Sequence, residues 1–329
     1  MLPDHMTEPA RRPTKLVIQI PCFNEEETLP GTLADLPRDV EGVDVVEWLV
    51  VDDGSSDRTV EVARAHGVDH VVSHTTNLGL ATAFLTGLDT ALRMGADIVV
   101  NTDADNQYDG SCIGDLIQPV IDGADMAVGE RPIEGISEFS GLKKRLQRLG
   151  SWVVRKFSGL EVRDAASGFR AFSRDAALRL QVYGKYSYTM ETLVQARAEG
   201  LSVIGVPVRT NPQTRPSRLV KSTLQYVRRS AQTIVRSFAI YYPFRFFLLV
   251  GMIPALLGVA LLLRWIAYYL FIDDVYTSRL PSLLSGAVLT LVGVQIWMVG
   301  FLGDLQAASR RLLAEARVRA RRAEIDRRG

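Results

Sequence analysis

Short apolar runs alternate with longer segments of mixed polarity over the first 130 residues of the chain. Runs of this length, bounded by polar residues or glycine, predict buried β-strands, and the segments between them are long enough for helices. This alternation favours an α/β fold with a doubly wound, mostly parallel sheet. The five predicted strands are centred on KLVIQIP (15–21), VDVVEWLVV, VDHVVSH, ADIVVN and ADMAVGE.

Polar clusters directly follow three of these strands. Asn24 and Glu25 follow the first, DDGS (52–55) the second, and Asp103 and Asp105, separated by one alanine, the fourth. In a parallel sheet these positions meet at the carboxyl edge, where such folds bind ligands. The alternation places both carboxylates of the last pair on one side, where two hard oxygen ligands suit Mg²⁺ or Mn²⁺ bridging a diphosphate. There is no GxGxxG after the first strand and no GxxxxGK[ST], which argues against dinucleotide and P-loop sites.

Two long apolar runs near the C-terminus predict a transmembrane hairpin. Residues 246–263 carry no charge, Arg264 follows, and the apolar character continues to Ile272; residues 280–303 form a second uncharged run. The second run, as a helix, spans about 36 Å, more than the roughly 30 Å hydrocarbon core of a bilayer. A pair of core helices in a soluble protein is the alternative.

Charge is unevenly distributed, although the formal net charge is only +1. Residues 1–208 hold 20 basic and 31 acidic side chains, and residues 209–245 hold eight basic and no acidic ones. Residues 304–329 hold eight basic and four acidic side chains. The connection between the two apolar runs has one basic residue, Arg279. The positive-inside rule therefore predicts a multi-pass protein of the cytoplasmic membrane, with its N-terminal domain and C-terminus in the cytoplasm.

An amphipathic pattern precedes the first apolar run. Residues 217–240 place an apolar stripe opposite a basic face, which favours an interfacial helix on an anionic leaflet over a core-facing surface helix. Glycines at 286, 293 and 300, seven apart, favour a close helix contact and a possible homo-oligomer. The predicted divisions are a disordered tail (1–14), a catalytic domain (15–216), the interfacial helix (217–243), the hairpin (244–303, spans about 246–272 and 280–303) and a basic cytoplasmic tail (304–329).

Composition argues against several other classes of protein. Two cysteines are too few for a disulfide framework, and the four histidines, with His70 and His74 in a predicted strand, lack metal-ligand spacing. The basic tail has no interleaved aromatic residues for base stacking, so we expect no nucleic-acid partner.

Five motifs in a fixed order carry a family resemblance. IPCFNEEETL, VDDGSSDRT, NLGLATAFLTGL, DADNQY and DAASGFRAF resemble family 2 glycosyltransferases with a GT-A fold. The two apolar runs and the segment RPSRLVKS look like the polyprenyl-phosphate glycosyltransferases, the branch similar to dolichol-phosphate mannose synthase. The resemblance covers about residues 15–240 and the hairpin.

The resemblance implies roles for individual residues. A metal, Mg²⁺ or Mn²⁺, would bind Asp103 and Asp105, and the catalytic residues would be Asp105, Asp164 and Arg131. The nucleotide-sugar would be held by Pro21, Asn24, Glu25, Asp52, Asp53, Asp103 and Gln107. The lipid phosphate would be held by Arg131, Arg148, Ser151, Arg215, Arg218 and Lys221. The sequence departs from the family at Leu80, where a basic residue is usual, and at Gly129-Glu130-Arg131, where GSR is frequent.

The function implied is transfer of one sugar from a UDP- or GDP-hexose to a polyprenyl (dolichyl or undecaprenyl) phosphate in the bilayer, with inversion. A processive polysaccharide synthase is one alternative; such enzymes carry QxxRW, and the nearest match here, residues 225–229, has Arg in place of Trp. A non-catalytic, membrane-tethered scaffold is the other, and the intact acidic motifs argue against it.

Overall fold

The computed structural model describes residues 13–132, 162–182, 188–212, 232, 235–271 and 280–327. The chain divides into two compact units. The first comprises Met1–Ile234 together with Val318–Gly329, and the second comprises Val235–Arg317. Most of the predicted interfacial helix and the connection 273–279 lie outside the described residues.

A seven-stranded sheet forms the centre of the first unit, in the order β3-β2-β1-β4-β6-β5-β7. Its strands are β1 (Lys15–Cys22), β2 (Val45–Asp52), β3 (His70–Ser73), β4 (Ile98–Asn101), β5 (Met126–Glu130), β6 (Arg170–Ser173) and β7 (Val203–Pro207). Strand β6 runs antiparallel to β4 and β5, and the other pairs are parallel. The predicted α/β, mostly parallel architecture is confirmed.

Helices cover both faces of this sheet. They are α1 (Leu29–Asp35), α2 (Thr59–Ala65), α3 (Leu80–Arg93), α4 (Ile113–Ile121), α5 (Arg174–Arg179) and α6 (Thr189–Ala198). Successive residues of a strand face opposite sides, so Leu16 and Ile18 of β1 belong to one core and Val17 to the other. Burial on both faces explains why the central strands are continuous apolar runs.

Strands β6 and β7 are absent from the five-strand pattern predicted by the sequence. Strand β6 has only four residues, RAFS, and two of them are polar. It forms because β4 and β5 both pair with it: Val100 and Ala127 both lie opposite Ala171. Pairing with strands more than 40 residues away cannot be recognised from such a short local pattern.

The second unit contains two long apolar helices. They are α7 (Pro243–Phe271, 29 residues) and α8 (Leu280–Asp326, 47 residues), the latter reaching into the first unit. Each is long and apolar enough to cross a membrane, and only 17% of its most apolar 18-residue window is buried. A core helix of a soluble protein would be mostly buried, so this exposure favours the predicted spans.

Glycines allow α7 and α8 to pack closely as an antiparallel hairpin. A Cβ added at Gly258 would lie 2.7 Å from the carbonyl oxygen of Gly286, and one at Gly293 would lie 2.6 Å from the Cβ of Ala255. Gly300 similarly faces Phe247, at 2.8 Å. The glycine stripe is thus part of a close helix contact within the hairpin, and the homo-oligomer through the membrane helices stays a prediction.

The last turns of α8 lie against the sheet domain of the first unit. Arg321 pairs with Asp89 at 2.6 Å, and Glu324 pairs with Arg93 at 2.9 Å, both on α3. Arg322 pairs with Asp175 of α5. Part of the basic tail is therefore a helix whose charges are matched by acidic residues of its own chain.

We expect Gly293→Val to destabilise the hairpin, because the added side chain overlaps Ala255 and the backbone of Gly251. Overpacking of this kind costs about 1–3 kcal/mol, which corresponds to a fall of several degrees in the melting temperature of the detergent-solubilised protein. Val294→Leu, at a neighbouring position that is 41% exposed, is the matched control and should melt like the parent. Equal melting of both variants would contradict the close packing.

Candidate active site

The polar clusters predicted from the sequence meet at one edge of the sheet. Pro21 lies opposite Val51 and Cys22 opposite Asp52 in parallel register, and Gln19 lies opposite Asn101 on the other side of β1. Strand β1 pairs with β4 only as far as Gln19, so Pro21 lies beyond the end of that pairing. Proline has no backbone N–H, and at this position no hydrogen bond to β4 is lost because of it. The loops that follow β1, β2 and β4 therefore leave the sheet side by side.

Hydrogen bonds join the loop after β1 to the loop after β2. Asn24, at a left-handed φ of 54°, donates its backbone N–H to the hydroxyl of Ser55 (2.9 Å) and accepts from the backbone N–H of Ser56 (2.8 Å). The backbone N–H of Glu25 donates to the hydroxyl of Thr59 (2.8 Å). Asn24 and Glu25 thus help to build one wall of the edge.

Asp52 and Asp53 are both almost fully buried, and they have different surroundings. Asp52 accepts the backbone N–H of Ser55 at 3.0 Å. The carboxylate of Asp53 accepts the backbone N–H groups of residues 78 and 79 at 2.9 and 2.8 Å and contacts Nδ1 of His74 at 2.7 Å. Asp53 therefore fixes the loop before α3. His74 was not among the predicted site residues; its position directly after β3, three residues before the NLG motif, is the only sequence signal for it.

Asp103 and Asp105 lie close enough to repel each other. Burial and the negative charge of Asp105 raise the pKa of Asp103 to about 7. Asp105 also accepts the backbone N–H of Gln107 at 3.2 Å, which closes the turn between them. Two partly buried, mutually repelling carboxylates are a donor set that a divalent cation stabilises.

The described residues contain no cluster of three or more His, Cys, Asp and Glu side chains, so protein side chains alone do not form a complete metal shell there. A hard cation with two protein oxygens completes its shell with phosphate and water oxygens. The residues present therefore fit a metal that binds together with a diphosphate.

Arg131 connects this turn to the loop that contains Asp164. Its Nε and Nη2 donate to the two carboxylate oxygens of Asp164, at 2.6 and 3.2 Å, and its Nη1 donates to the amide oxygen of Gln107 at 3.1 Å. Asp164 is fully buried, and the side chain of Arg131 is 8% exposed. Burial alone lowers the pKa of Arg131, but Tyr108 and Asp164 outweigh burial and raise it above its ordinary value. The guanidinium is thus a charged group held in one orientation.

A chain of hydrogen-bonded buried amides and hydroxyls leads to Gly168, which lies against Asp103. The side-chain amide of Gln19 donates to Asn101 (2.8 Å), and the amide of Asn101 donates to the carbonyl oxygen of Gly168 (2.9 Å) and to the hydroxyl of Tyr188 (2.8 Å). The ring of Tyr188 stacks on Phe84, 3.9 Å between centroids. Gly168 approaches Asp103 so closely that an added Cβ would lie 2.8 Å from its carboxylate.

Arg170 and Tyr108 hold the loop around Asp164. The buried guanidinium of Arg170 donates to the carbonyl oxygens of Ala165 (3.0 Å) and Ser167 (2.8 Å), and burial lowers its pKa to about 10. The hydroxyl of Tyr108 accepts the backbone N–H of Gly168 at 2.9 Å. Arg170 therefore remains a cation at neutral pH, and it lies near Asp103 and Asp164.

Comparison of the amino-acid sequence with known proteins places the chain in a family. Residues 17–180 match the family described as Glycosyl transferase family 2. UDP-N-acetylglucosamine–dolichyl-phosphate N-acetylglucosaminyltransferase of Methanococcus voltae is 32% identical over 214 residues, which cover 58% of this chain and 83% of that protein. The chain belongs to glycosyltransferase family 2.

Two further comparisons concern this glycosyltransferase. The undecaprenyl-phosphate mannosyltransferase of Micrococcus luteus is 31% identical over 199 residues, 57% of this chain and 80% of that protein. Among solved structures, the glucosyl-3-phosphoglycerate synthase of Mycobacterium tuberculosis, in complex with Mn²⁺, UDP and glucosyl-3-phosphoglycerate, superposes with a TM-score of 0.52 at 22% identity. That match covers 69% of this chain and 79% of the other, and it supports the predicted GT-A fold.

The structure brings together most of the predicted residues of this glycosyltransferase. Ten of them lie at or beside the carboxyl edge of β1, β2, β4 and β5 or in the loop before β6. They are Pro21, Asn24, Glu25, Asp52, Asp53, Asp103, Asp105, Gln107, Arg131 and Asp164. The predicted lipid-phosphate ligands Arg148, Ser151, Arg215, Arg218 and Lys221 lie outside the described residues. Leu80, where the family usually has a basic residue, is the first residue of α3, and its side chain packs against the core.

Several supporting residues were missed by sequence reasoning. Gln19 and Asn101 are polar residues inside otherwise apolar strand segments, and both are fully buried. Because an unpaired buried amide costs free energy, a polar residue at such a position is a signal that it has partners. The partners themselves, Gly168 and Tyr188, come from segments more than 60 residues away and were not recognisable.

We expect Gly168→Ala to weaken Mn²⁺ binding about tenfold, because the new methyl group displaces the Asp103 carboxylate and crowds the hydroxyl of Tyr188, 3.0 Å away. Binding is measured by electron paramagnetic resonance of Mn²⁺ in the presence of UDP. Gly114→Ala, a glycine on α4 whose added Cβ meets only Val40 at 4.0 Å, is the control. Unchanged affinity in Gly168→Ala would show that this close approach does not constrain the carboxylate.

Proposed function

We propose that this glycosyltransferase moves one sugar from a UDP- or GDP-hexose to a membrane polyprenyl phosphate, dolichyl or undecaprenyl phosphate, with inversion at the anomeric carbon. The observation that carries the proposal is the pairing of two sites at one sheet edge. Asp103 and Asp105 offer a cation site for a diphosphate, and Arg131 offers a fixed positive charge beside it.

The donor side rests on the two carboxylates. Asp103 and Asp105 would hold Mg²⁺ or Mn²⁺, which neutralises the charge of the departing nucleoside diphosphate. The wall formed by Asn24, Glu25 and Asp52 would bind the nucleoside, and Asp53 would act by fixing the loop at residues 78 and 79. The M. tuberculosis synthase crystallised with Mn²⁺ and UDP has the same fold, which supports this use of the edge.

The acceptor side rests on Arg131. Its contacts with Asp164 and Gln107 use three of the five guanidinium hydrogens, so two can bind a phosphate. A phosphate bound there would lie beside the carboxylate pair, since Asp103 and Arg131 interact electrostatically. Arg148, Ser151, Arg215, Arg218 and Lys221 remain the proposed additional ligands of the lipid phosphate.

A lipid-linked acceptor is favoured by two independent observations. The M. voltae and M. luteus relatives are named for transfer to dolichyl phosphate and undecaprenyl phosphate. This chain also carries two helices long and apolar enough to cross a bilayer. The charge pattern favours a catalytic domain and a C-terminus in the cytoplasm.

The chemistry needs little base catalysis, because a phosphate monoester is already ionised near pH 7. One of its oxygens attacks the anomeric carbon; the new bond joins that carbon to the lipid phosphate oxygen, and the bond to the diphosphate oxygen breaks. Arg131 would orient the attacking phosphate, and a single displacement gives inversion. Asp164 is fully buried with both oxygens on Arg131, so we infer that it positions this guanidinium and does not accept a proton.

The decisive assay incubates the purified full-length protein with Mn²⁺, undecaprenyl or dolichyl phosphate, and labelled UDP-glucose, UDP-N-acetylglucosamine or GDP-mannose. We expect one donor to give an organic-soluble product with one sugar per lipid, identified by mass spectrometry. Asp105→Ala should reduce the rate at least about 100-fold, because the charge of the leaving diphosphate is no longer neutralised. EDTA should have the same effect on the parent.

Asp115→Asn, a surface carboxylate in the first turn of α4, is the matched control and should retain parental activity. Products with many sugars per chain would indicate a processive synthase. Failure to form glycolipid from any of these donors would refute the proposed acceptor class.

The inferred role of Asp164 is tested by a double-mutant cycle with Arg131. Asp164→Asn and Arg131→Lys should each raise the KM for the lipid phosphate about tenfold, because both disturb the same bidentate pair. The double variant should be little worse than either single variant, since the two residues act through one guanidinium. A large loss of kcat in Asp164→Asn, with a lost acidic limb in the pH profile and an unchanged KM, would instead identify a general base.

A further inference from the structure

The segment that follows β7 runs beside the turn that contains Asp103 and Asp105. The backbone N–H of Asn211 donates to the carbonyl oxygen of Gln107 at 3.0 Å, and the N–H of Asp109 donates to the carbonyl oxygen of Arg209 at 3.3 Å. Between these contacts, Tyr108 and Thr210 form an isolated antiparallel bridge. Residues 209–211 thus form a short ladder with residues 107–109. We call residues 209–211 the strap.

The side chain of Asn211 extends this contact to the turn that contains Asp103 and Asp105 (residues 103–107), which we call the acidic turn. Its amide nitrogen donates to the amide oxygen of Asn106 at 3.2 Å and to the carboxylate of Asp35, the last residue of α1, at 2.8 Å. One amide group therefore connects three segments: the strap, the acidic turn and the end of α1. An added Cβ at Gly31 of α1 would lie 3.4 Å from the Asn106 amide, so Asn106 also packs against that helix.

Asn106 has an unusual backbone conformation. Its φ is 53°, in the left-handed region that residues other than glycine rarely adopt, although asparagine tolerates it best. Asn106 directly follows Asp105, whose carboxylate accepts the N–H of Gln107 across this residue. The direction in which the Asp105 carboxylate points therefore depends on the conformation of Asn106 being maintained.

We propose that Asn211 is a positioning residue for the cation site. Its side chain holds Asn106 in the left-handed turn and so keeps Asp105 beside Asp103. The inference rests on the proposed function, because it assumes that the two carboxylates bind Mg²⁺ or Mn²⁺. Only three residues separate Asn211 from Arg215, the first proposed lipid-phosphate ligand of the following segment.

The test measures Mn²⁺ binding to the full-length protein in detergent with UDP present, by electron paramagnetic resonance. Asn211→Ala and Asn211→Asp both remove the donated hydrogen bonds, and the second keeps the size of the side chain. Each should raise the dissociation constant of Mn²⁺ about three- to tenfold, as expected for the loss of one or two hydrogen bonds. Melting temperatures show whether each variant is folded.

Arg209→Ala is the matched control. It removes contacts of the same strap with Asp109 and Ser111, at 2.8 and 2.7 Å, and leaves Asn106 untouched. We expect its Mn²⁺ affinity to remain within about twofold of the parent, because Arg209 is a surface group.

Asn106→Gly supplies a second test, since glycine adopts a positive φ without support from a side chain. In this background Asn211→Ala should change the Mn²⁺ affinity by less than about twofold, because the conformation no longer needs the side-chain contact. An equally large loss in both backgrounds would mean that Asn211 acts in another way, and it would overturn the inference.

The outcomes separate this inference from the proposed function. If the parent binds Mn²⁺ and both Asn211 variants bind it equally well, the positioning role is overturned and the proposed function is unaffected. If Arg209→Ala weakens binding as much as Asn211→Ala, the effect belongs to the strap as a whole, and the specific role of Asn211 is overturned. If the parent binds no Mn²⁺ with UDP, the metal-dependent function and this inference both fail.

Discussion

Electrostatic repulsion between Asp103 and Asp105 is the constraint on which the rest of the site depends. Burial and the charge of Asp105 together raise the pKa of Asp103 to about 7, so the pair is costly to keep ionised on its own. Two buried cations lie nearby, Arg131 and Arg170, and they offset part of this cost. This arrangement fits the proposed ligand, a divalent cation that binds together with a diphosphate.

The surrounding protein keeps these charges in place with neutral groups. Gln19 and Asn101 reach from the middle of the sheet to Gly168, and Tyr108 holds Gly168 from the other side. Asp164 and Gln107 orient Arg131, and carbonyl oxygens orient Arg170. These hydrogen bonds hold both arginine side chains in one orientation, which supplies the fixed charges that the proposed chemistry needs.

The two units of the chain meet different physical demands. In the first, packing on both faces of a sheet buries apolar strands and leaves polar residues at one edge. In the second, α7 and α8 expose their apolar surfaces and touch each other through glycines, as helices in a lipid environment do. The last turns of α8 return to the first unit, where their arginines pair with acidic residues of α3 and α5.

The sequence by itself determined the α/β class, the strands β1 to β5, the two long apolar helices and the acidic pair after β4. These features follow from local patterns, because strand burial, helix length and the alternation of Asp103 with Asp105 act over a few residues. The order of motifs was also sufficient to indicate the family. Nothing local, however, marked β6, because four residues become a strand only when β4 and β5 lie on either side.

Only the tertiary structure decided which residues share the site and in what role. The pairing of Arg131 with Asp164 joins positions 33 residues apart, and that of Asn101 with Tyr188 joins positions 87 apart. Asn211 and Asn106 are 105 residues apart, and although Asn106 lies in the DADNQY motif, nothing in the sequence around Asn211 marks it as its partner. Contacts of this kind depend on where the sheet places each loop, and that position is set by the packing of the whole domain.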